Sequence, residues 1–182
     1  MSDMADVAKR KWRILAIDDD PKILGSYANI LSPSLTATEL MDAIEGKYSD
    51  NTPDSPFELV TANQGLKGVE LVRQSMESGN PFSLALVDMR MPPGINGTET
   101  VAKIREIDKD IYFAIVTANT DHNIVNMQKA AERNILLLRK PFAPDELLQL
   151  IHNSCNSWDR DRDLETAKEN LEKQASEHNQ KS

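Results

Sequence analysis

The sequence predicts a doubly wound α/β domain built around a five-stranded parallel sheet. Two observations lead there. Between residues 12 and 155, five short, continuously apolar runs alternate with amphipathic segments, the pattern of β/α units whose strands are covered on both faces. Polar residues with chemistry to offer stand directly behind four of those runs, where sheets of this kind place their ligand crevice.

The apolar runs are Arg13 to Ile17, Phe57 to Thr61, Phe82 to Val87, Ile111 to Val116 and Ile135 to Leu138. The helices between them carry readable start signals. Asp20 caps a first helix with Pro21 at its first position, and Ile23, Leu24, Tyr27, Ile30 and Leu31 then share a face. A second helix follows Ala62 and Asn63, presents Leu66, Val69, Val72 and Met76, and ends at Gly79. A third runs from about Thr98 with Val101, Ile104 and Ile107 inward, and a fourth follows Asp121 with Ile124, Met127 and Ala131. The fifth begins at Pro144 and Asp145 and uses Leu147, Leu148 and Ile151.

Spacing exposes an insertion. Two helices and two strands fit in the 52 residues from Asp88 to Lys140, whereas the same inventory takes 69 from Asp19 to Asp88. The surplus lies within residues 32–56, where Thr36 and Glu39 have capping-box spacing and Ser49 to Pro56 reads as loop. Residues 1–11 form an N-terminal arm and 12–155 the domain. Residues 156–182 form a charged, Gly- and Pro-free tail that is helical by composition, in which Leu164, Ala167, Leu171, Gln174 and His178 repeat at coiled-coil spacing.

Composition bounds the function. A chain of 182 residues, 40% hydrophobic and 27% charged, suits one globular domain with an appendage. The net charge of −8 argues against direct nucleic-acid binding. The start has no apolar leader region and no run is long enough to span a membrane, so a cytoplasmic location is expected. Cys155 has no second cysteine to pair with, and is read as structural. His122, His152 and His178 lie in α/β or tail context and are read as surface or boundary residues.

The strand ends hold the candidate site: Asp18 and Asp19 behind the first strand, Asp88 behind the third, Thr117 behind the fourth and Lys140 with Pro141 behind the fifth. With strand order 2-1-3-4-5, the flavodoxin-like order, the acids of the first and third strands share one crevice. Three crowded carboxylates raise each other's pKa unless a positive charge sits among them. Mg²⁺ suits such a donor set, with the Arg90 backbone carbonyl as a further oxygen ligand. Lys140 and the Thr117 hydroxyl then read as partners of an oxyanion, while Asp20 reads as the helix cap.

The motifs ILAIDDDP, LALVDMRMPPGING, FAIVTAN and LLLRKPFAPDEL, in this order and strand position, resemble the receiver domain of bacterial two-component response regulators. The resemblance covers about residues 12–155. It implies that Asp88 is the phosphoacceptor, that Asp18 and Asp19 bind Mg²⁺, that Thr117 is the switch hydroxyl, and that Lys140, with a cis bond to Pro141, neutralises phosphoryl charge. The implied partners are a sensor histidine kinase or phosphotransfer protein and a downstream effector. A homodimer through the fourth helix, fifth strand and fifth helix, or through the tail, is a further expectation.

The implied chemistry is that of a phosphoaccepting domain acting only on itself, not an enzyme with a separate substrate. Two departures stand out: the loop after Asp88 is one residue longer than the commonest form, and Leu137 stands where an aromatic residue is common three positions before the lysine. Arg90 and Asn119 occupy positions that tune phosphoryl lifetime in the family. Two other readings are a phosphorylation-independent interaction module and a haloacid-dehalogenase-like phosphohydrolase. For the latter, Lys22 departs from the D-x-D-x-[TV] pattern.

Overall fold

The computed structural model describes residues 11–32, 55–118, 129 and 131–180. Its elements run in the order β1 (Trp12–Ile17), α1 (Pro21–Leu31), β2 (Phe57–Ala62), α2 (Gly65–Glu77), β3 (Leu84–Asp88), α3 (Gly97–Ile107), β4 (Tyr112–Thr117), β5 (Ile135–Arg139) and α4 (Pro144–Gln180). The strands form one parallel sheet in the order β2-β1-β3-β4-β5. The expected fold and strand order are therefore those observed.

Side chains alternate between the two faces of the sheet with the period of two that a strand imposes. Ile14, Ala16, Leu84, Leu86, Ala114 and Val116 pack under α1 and α4 with Tyr27, Leu147 and Ile151. Leu15, Ile17, Ala85, Val87, Phe113 and Ile115 pack under α2 and α3 with Val72 and Ile104. Both faces are covered, which is why each strand reads as an unbroken apolar run.

Local chemistry accounts for the helix starts. Asp20 Oδ1 accepts from the Lys22 N–H at 2.8 Å and Pro21 opens α1, as expected. At α3, Asn96 Oδ1 accepts from the Glu99 N–H at 2.9 Å while Glu99 accepts from the Asn96 N–H at 3.0 Å, a capping box that sequence reading passed over.

The inward face of α2 differs from expectation. Leu66 is 58% and Met76 40% exposed, whereas Gly65 and Gly68 are buried. A Cβ on Gly68 would stand 2.3 Å from Ile17 Cδ1, so this helix lies too close to β1 for any side chain there.

At the end of α3, beside the start of β4, Arg105 is 8% exposed. It donates to the carbonyls of Ala131 (2.9 Å), Lys109 (2.7 Å), Ile111 (3.0 Å) and Arg133 (2.8 Å), and its guanidinium lies 4.8 Å from the Phe113 ring centre. One cation thereby ties the end of α3 to the entry of β5.

The expected domain boundary at residue 155 falls inside α4, a helix of 37 residues. Packing continues beyond it: Cys155 and Trp158 are buried, Trp12 Nε1 donates to Asp159 at 2.8 Å, and the Tyr112 hydroxyl donates to Asp161 at 2.6 Å. The body of the domain thus takes in the helix to about Arg162, and the helical tail is its direct continuation.

His152 is exposed but packs edge-on against Phe57, with centroids 5.0 Å apart. The ends of the insertion meet where Ser55 Oγ donates to the Leu31 carbonyl at 3.0 Å. The Thr36 and Glu39 pair, most of the helix expected after Asp121, Asn119 and His122 lie outside the described residues. Ala131, on that helix's expected apolar face, is buried. No helix among the described residues is long and apolar enough to cross a membrane.

Candidate functional site

Register assembles the site. Ile17 pairs with Val87 across β1 and β3, Asp88 with Val116 across β3 and β4, and Thr117 with Arg139 across β4 and β5. The next residue along each strand therefore opens on a common rim: Asp18, Asp88, Thr117 and Lys140 arrive there from four adjacent strands. The Lys140 N–H donates to the Thr117 carbonyl at 2.8 Å, extending the ladder by one step.

The ammonium of Lys140 bridges two carboxylates, donating to Asp18 Oδ2 and to Asp88 Oδ1, each at 3.1 Å. Asp18 and Asp88 are buried, at 1% and 9% exposure, and the Asp18 Oδ1 atom accepts from the Asp20 N–H at 2.9 Å. Asp19 is exposed, yet its carboxylate converges on the same point: one oxygen from each of Asp18, Asp19 and Asp88 lies within 4.8 Å of the others.

Burial raises the Asp88 carboxyl above its usual value, against the opposing pull of the Lys140 charge; the Asp18 charge raises it further, and hydrogen bonds from Lys140 and the Arg90 N–H lower it. For Lys140, burial pulls downward, but the charges and hydrogen bonds of Asp88 and Asp18 outweigh it and hold the ammonium above its ordinary value. One lysine faces three carboxylates, so the cluster retains excess negative charge. Hard oxygen donors at this spacing, with uncompensated charge, fit a hard divalent cation.

The loop after β3 is fixed from beneath. Met89 and Met91 are buried at 6% and 1%, turning the intervening Arg90 side chain outward. Gly94 N–H donates to the Met91 carbonyl at 3.0 Å, and Gly97 N–H to that of Met89 at 3.0 Å. A Cβ on Gly94 would stand 2.3 Å from Gln64 Oε1, so a larger residue there would have to displace the Gln64 side chain at the start of α2. The Pro92–Pro93 and Lys140–Pro141 bonds are both cis, the second as expected.

Thr117 is 4% exposed and its Oγ1 donates to the Ala118 carbonyl at 2.9 Å. Leu137, in the position noted as a departure, is 37% exposed on β5.

Sequence reading missed a support beneath the lysine. Tyr27, 1% exposed, stacks on Phe142 with ring centroids 5.9 Å apart and planes 9° apart, two residues beyond Lys140. Its phenol is raised by burial and then by the charges of Asp18 and Asp88. Helical spacing marked Tyr27 as inward, but no local signal pairs it with Phe142, which reaches the same face of the sheet from beyond β5.

Residues 52–152 match the family model described as the response regulator receiver domain. The chain belongs to that family. The match begins at the approach to β2, and the structure adds β1, with Asp18 and Asp19 behind it, as the strand between β2 and β3.

This receiver is 29% identical over 144 residues to the nitrate/nitrite response regulator protein NarL of Escherichia coli strain K12, an alignment covering 78% of this chain and 53% of NarL. The chain thus spans about half the length of that relative. Among solved structures, a chain described as adenylate cyclase from Rhodopirellula baltica is 27% identical with a TM-score of 0.60, covering 90% of the receiver and 98% of that chain. A CheY-like receiver domain protein from Methanospirillum hungatei is 23% identical with a TM-score of 0.61, covering 83% and 98%, and shares the fold.

Proposed function

We propose that this receiver accepts a phosphoryl group on Asp88 from a phosphohistidine of a partner kinase or phosphotransfer protein, as a cytoplasmic element of a two-component system. The observation that carries the reading is the Lys140 ammonium bridging Asp18 and Asp88 at the ends of β1 and β3. An Asp88 carboxylate oxygen attacks phosphorus, the new O–P bond forms as the N–P bond breaks, and the histidine nitrogen departs with the electron pair. The product is an aspartyl phosphate, and the domain acts on no substrate but itself.

Asp18, Asp19, Asp88 and the Arg90 carbonyl are the residues that would hold Mg²⁺. Bound there, the ion supplies positive charge to the oxygens of the transferring group. Lys140, already between the two buried acids, offers its ammonium to those oxygens as well. The Thr117 hydroxyl turns from the Ala118 carbonyl toward the added oxygens, shifting the end of β4. That displacement biases the surface read by a downstream effector.

The test is incubation with a small phosphodonor and Mg²⁺, read by intact mass. One added phosphoryl group is expected in the wild type and none in Asp88→Asn. Equal labelling of that variant would remove Asp88 from the role.

A further inference from the structure

We propose that the free end of α4 pairs with the same segment of a second copy of this chain as a parallel two-stranded coiled coil, along Leu164, Ala167 and Leu171. Leu164 and Leu171 are 68% and 66% exposed, although they are the two large apolar residues on this stretch. From Arg160 to the end of its described side chains the helix is exposed. A polar helix of that length without a partner is marginal in water.

The geometry leaves the seam open to a partner. Leu147, Ile151, Ser154, Cys155 and Trp158 face the body and are buried. At 100° per residue, the centre of that stripe and the centre of the seam lie roughly 150° apart around the helix. A second helix can therefore lie on the seam without meeting its neighbour's sheet. The root is fixed by Trp12 on Asp159 and Tyr112 on Asp161, and Arg162 lies over the Trp158 ring at 4.5 Å.

Charge selects the direction. With Leu164 and Leu171 as the first seam position of successive heptads, Asp163 and Lys168 flank the seam as g and e residues. In a parallel, in-register pair Asp163 of one copy faces Lys168 of the other, twice by symmetry. An antiparallel pair sets Asp163 against Glu177 and Lys168 against Lys168, which repel. Gln174 and His178 continue the seam with polar groups, so affinity concentrates in the stretch from Leu164 to Leu171. The pairing concerns the tail alone and stands apart from phosphorylation at Asp88.

Sedimentation equilibrium of the full chain over a concentration series tests this. A reversible dimer is expected, weakened at least about tenfold in Leu164→Glu/Leu171→Glu. Asp163→Lys alone should weaken it severalfold, and Asp163→Lys with Lys168→Asp should restore it. Leu164→Cys should cross-link to itself on oxidation, because a parallel register brings position 164 of both copies together, while native Cys155 is buried. Unchanged thermal unfolding of the body reports intact folding, and Asp88→Asn should dimerise normally. A monomer at every concentration, a dimer indifferent to the leucine pair, a trimer, or a dimer without the cysteine cross-link would each overturn the proposal.

Discussion

Lys140 Nζ stands 3.1 Å from Asp88 Oδ1 across the rim between β5 and β3, although 52 residues separate them in the chain. The same ammonium reaches Asp18, so one cation offsets two buried acids. Lys140→Ala should lower unfolding free energy in chelator by about 1–3 kcal/mol, less than for a fully buried pair because the lysine side chain is 24% exposed. Added Mg²⁺ should recover part of the loss. Urea unfolding with and without the ion measures both, and a variant as stable as wild type in chelator would show that the lysine does not balance the acids.

Arg105 is the corresponding cation beside the start of β4. Arg105→Ala takes a donor from the carbonyls of Ala131, Lys109, Ile111 and Arg133, of which Ala131 keeps the Arg133 N–H (2.7 Å) and Lys109 the Arg133 side chain (3.2 Å), and removes a guanidinium from the Phe113 face. A loss of about 3–5 kcal/mol is expected in urea unfolding. Arg105→Lys should recover little of it, since a single ammonium cannot span four acceptors that a planar fork reaches. Near-complete rescue by lysine would show that charge alone matters there.

Asp108 provides a pH signature away from the site. Burial raises its carboxyl above the ordinary value, although the Asp110 and Ile111 N–H groups pull the other way. Its Oδ2 atom is buried and has no hydrogen-bond partner among the described residues. The native state therefore binds this proton more tightly than the unfolded chain. Its contribution is present below the unfolded carboxylate value and is lost as pH rises through the folded one. Asp108→Asn, which keeps the Oδ1 acceptor, should melt above wild type at neutral pH, with the gap closing toward about pH 4. A gap that widens in acid would reverse the sign.

The Tyr27 and Phe142 stack separates packing from chemistry. Tyr27→Phe keeps the ring and should change stability little. Tyr27→Ala opens a cavity beneath the Lys140 loop and should cost about 3–5 kcal/mol. The proposed phosphoryl uptake should slow in the alanine variant and not in the phenylalanine one, as read by labelling rate at a temperature where both are folded.

Much of this protein is written locally. Five apolar runs, the Asp20 and Pro21 helix start, and the acids, hydroxyl and amine at the strand ends are features of a few consecutive residues. The physics that produces them, burial on both faces of a strand and orphan N–H groups at a helix start, acts over the same short range. The strands accordingly fall within a residue or two of expectation, and the rim holds the expected residues.

What tertiary structure alone decided are relations between distant residues. That Gly65 and Gly68, not Leu66 and Met76, face inward depends on how closely α2 approaches β1 and α3. The domain does not stop at residue 155 because Trp12 and Tyr112, 147 and 49 residues away from their partners, hold Asp159 and Asp161 on the continuing helix. Nothing local singles out Arg105 among the charges or gives Tyr27 more than an inward position; folding set the carbonyls of β5's entry and the Phe142 ring against them. Periodicity records which way a side chain faces; only the packed chain determines what it meets there.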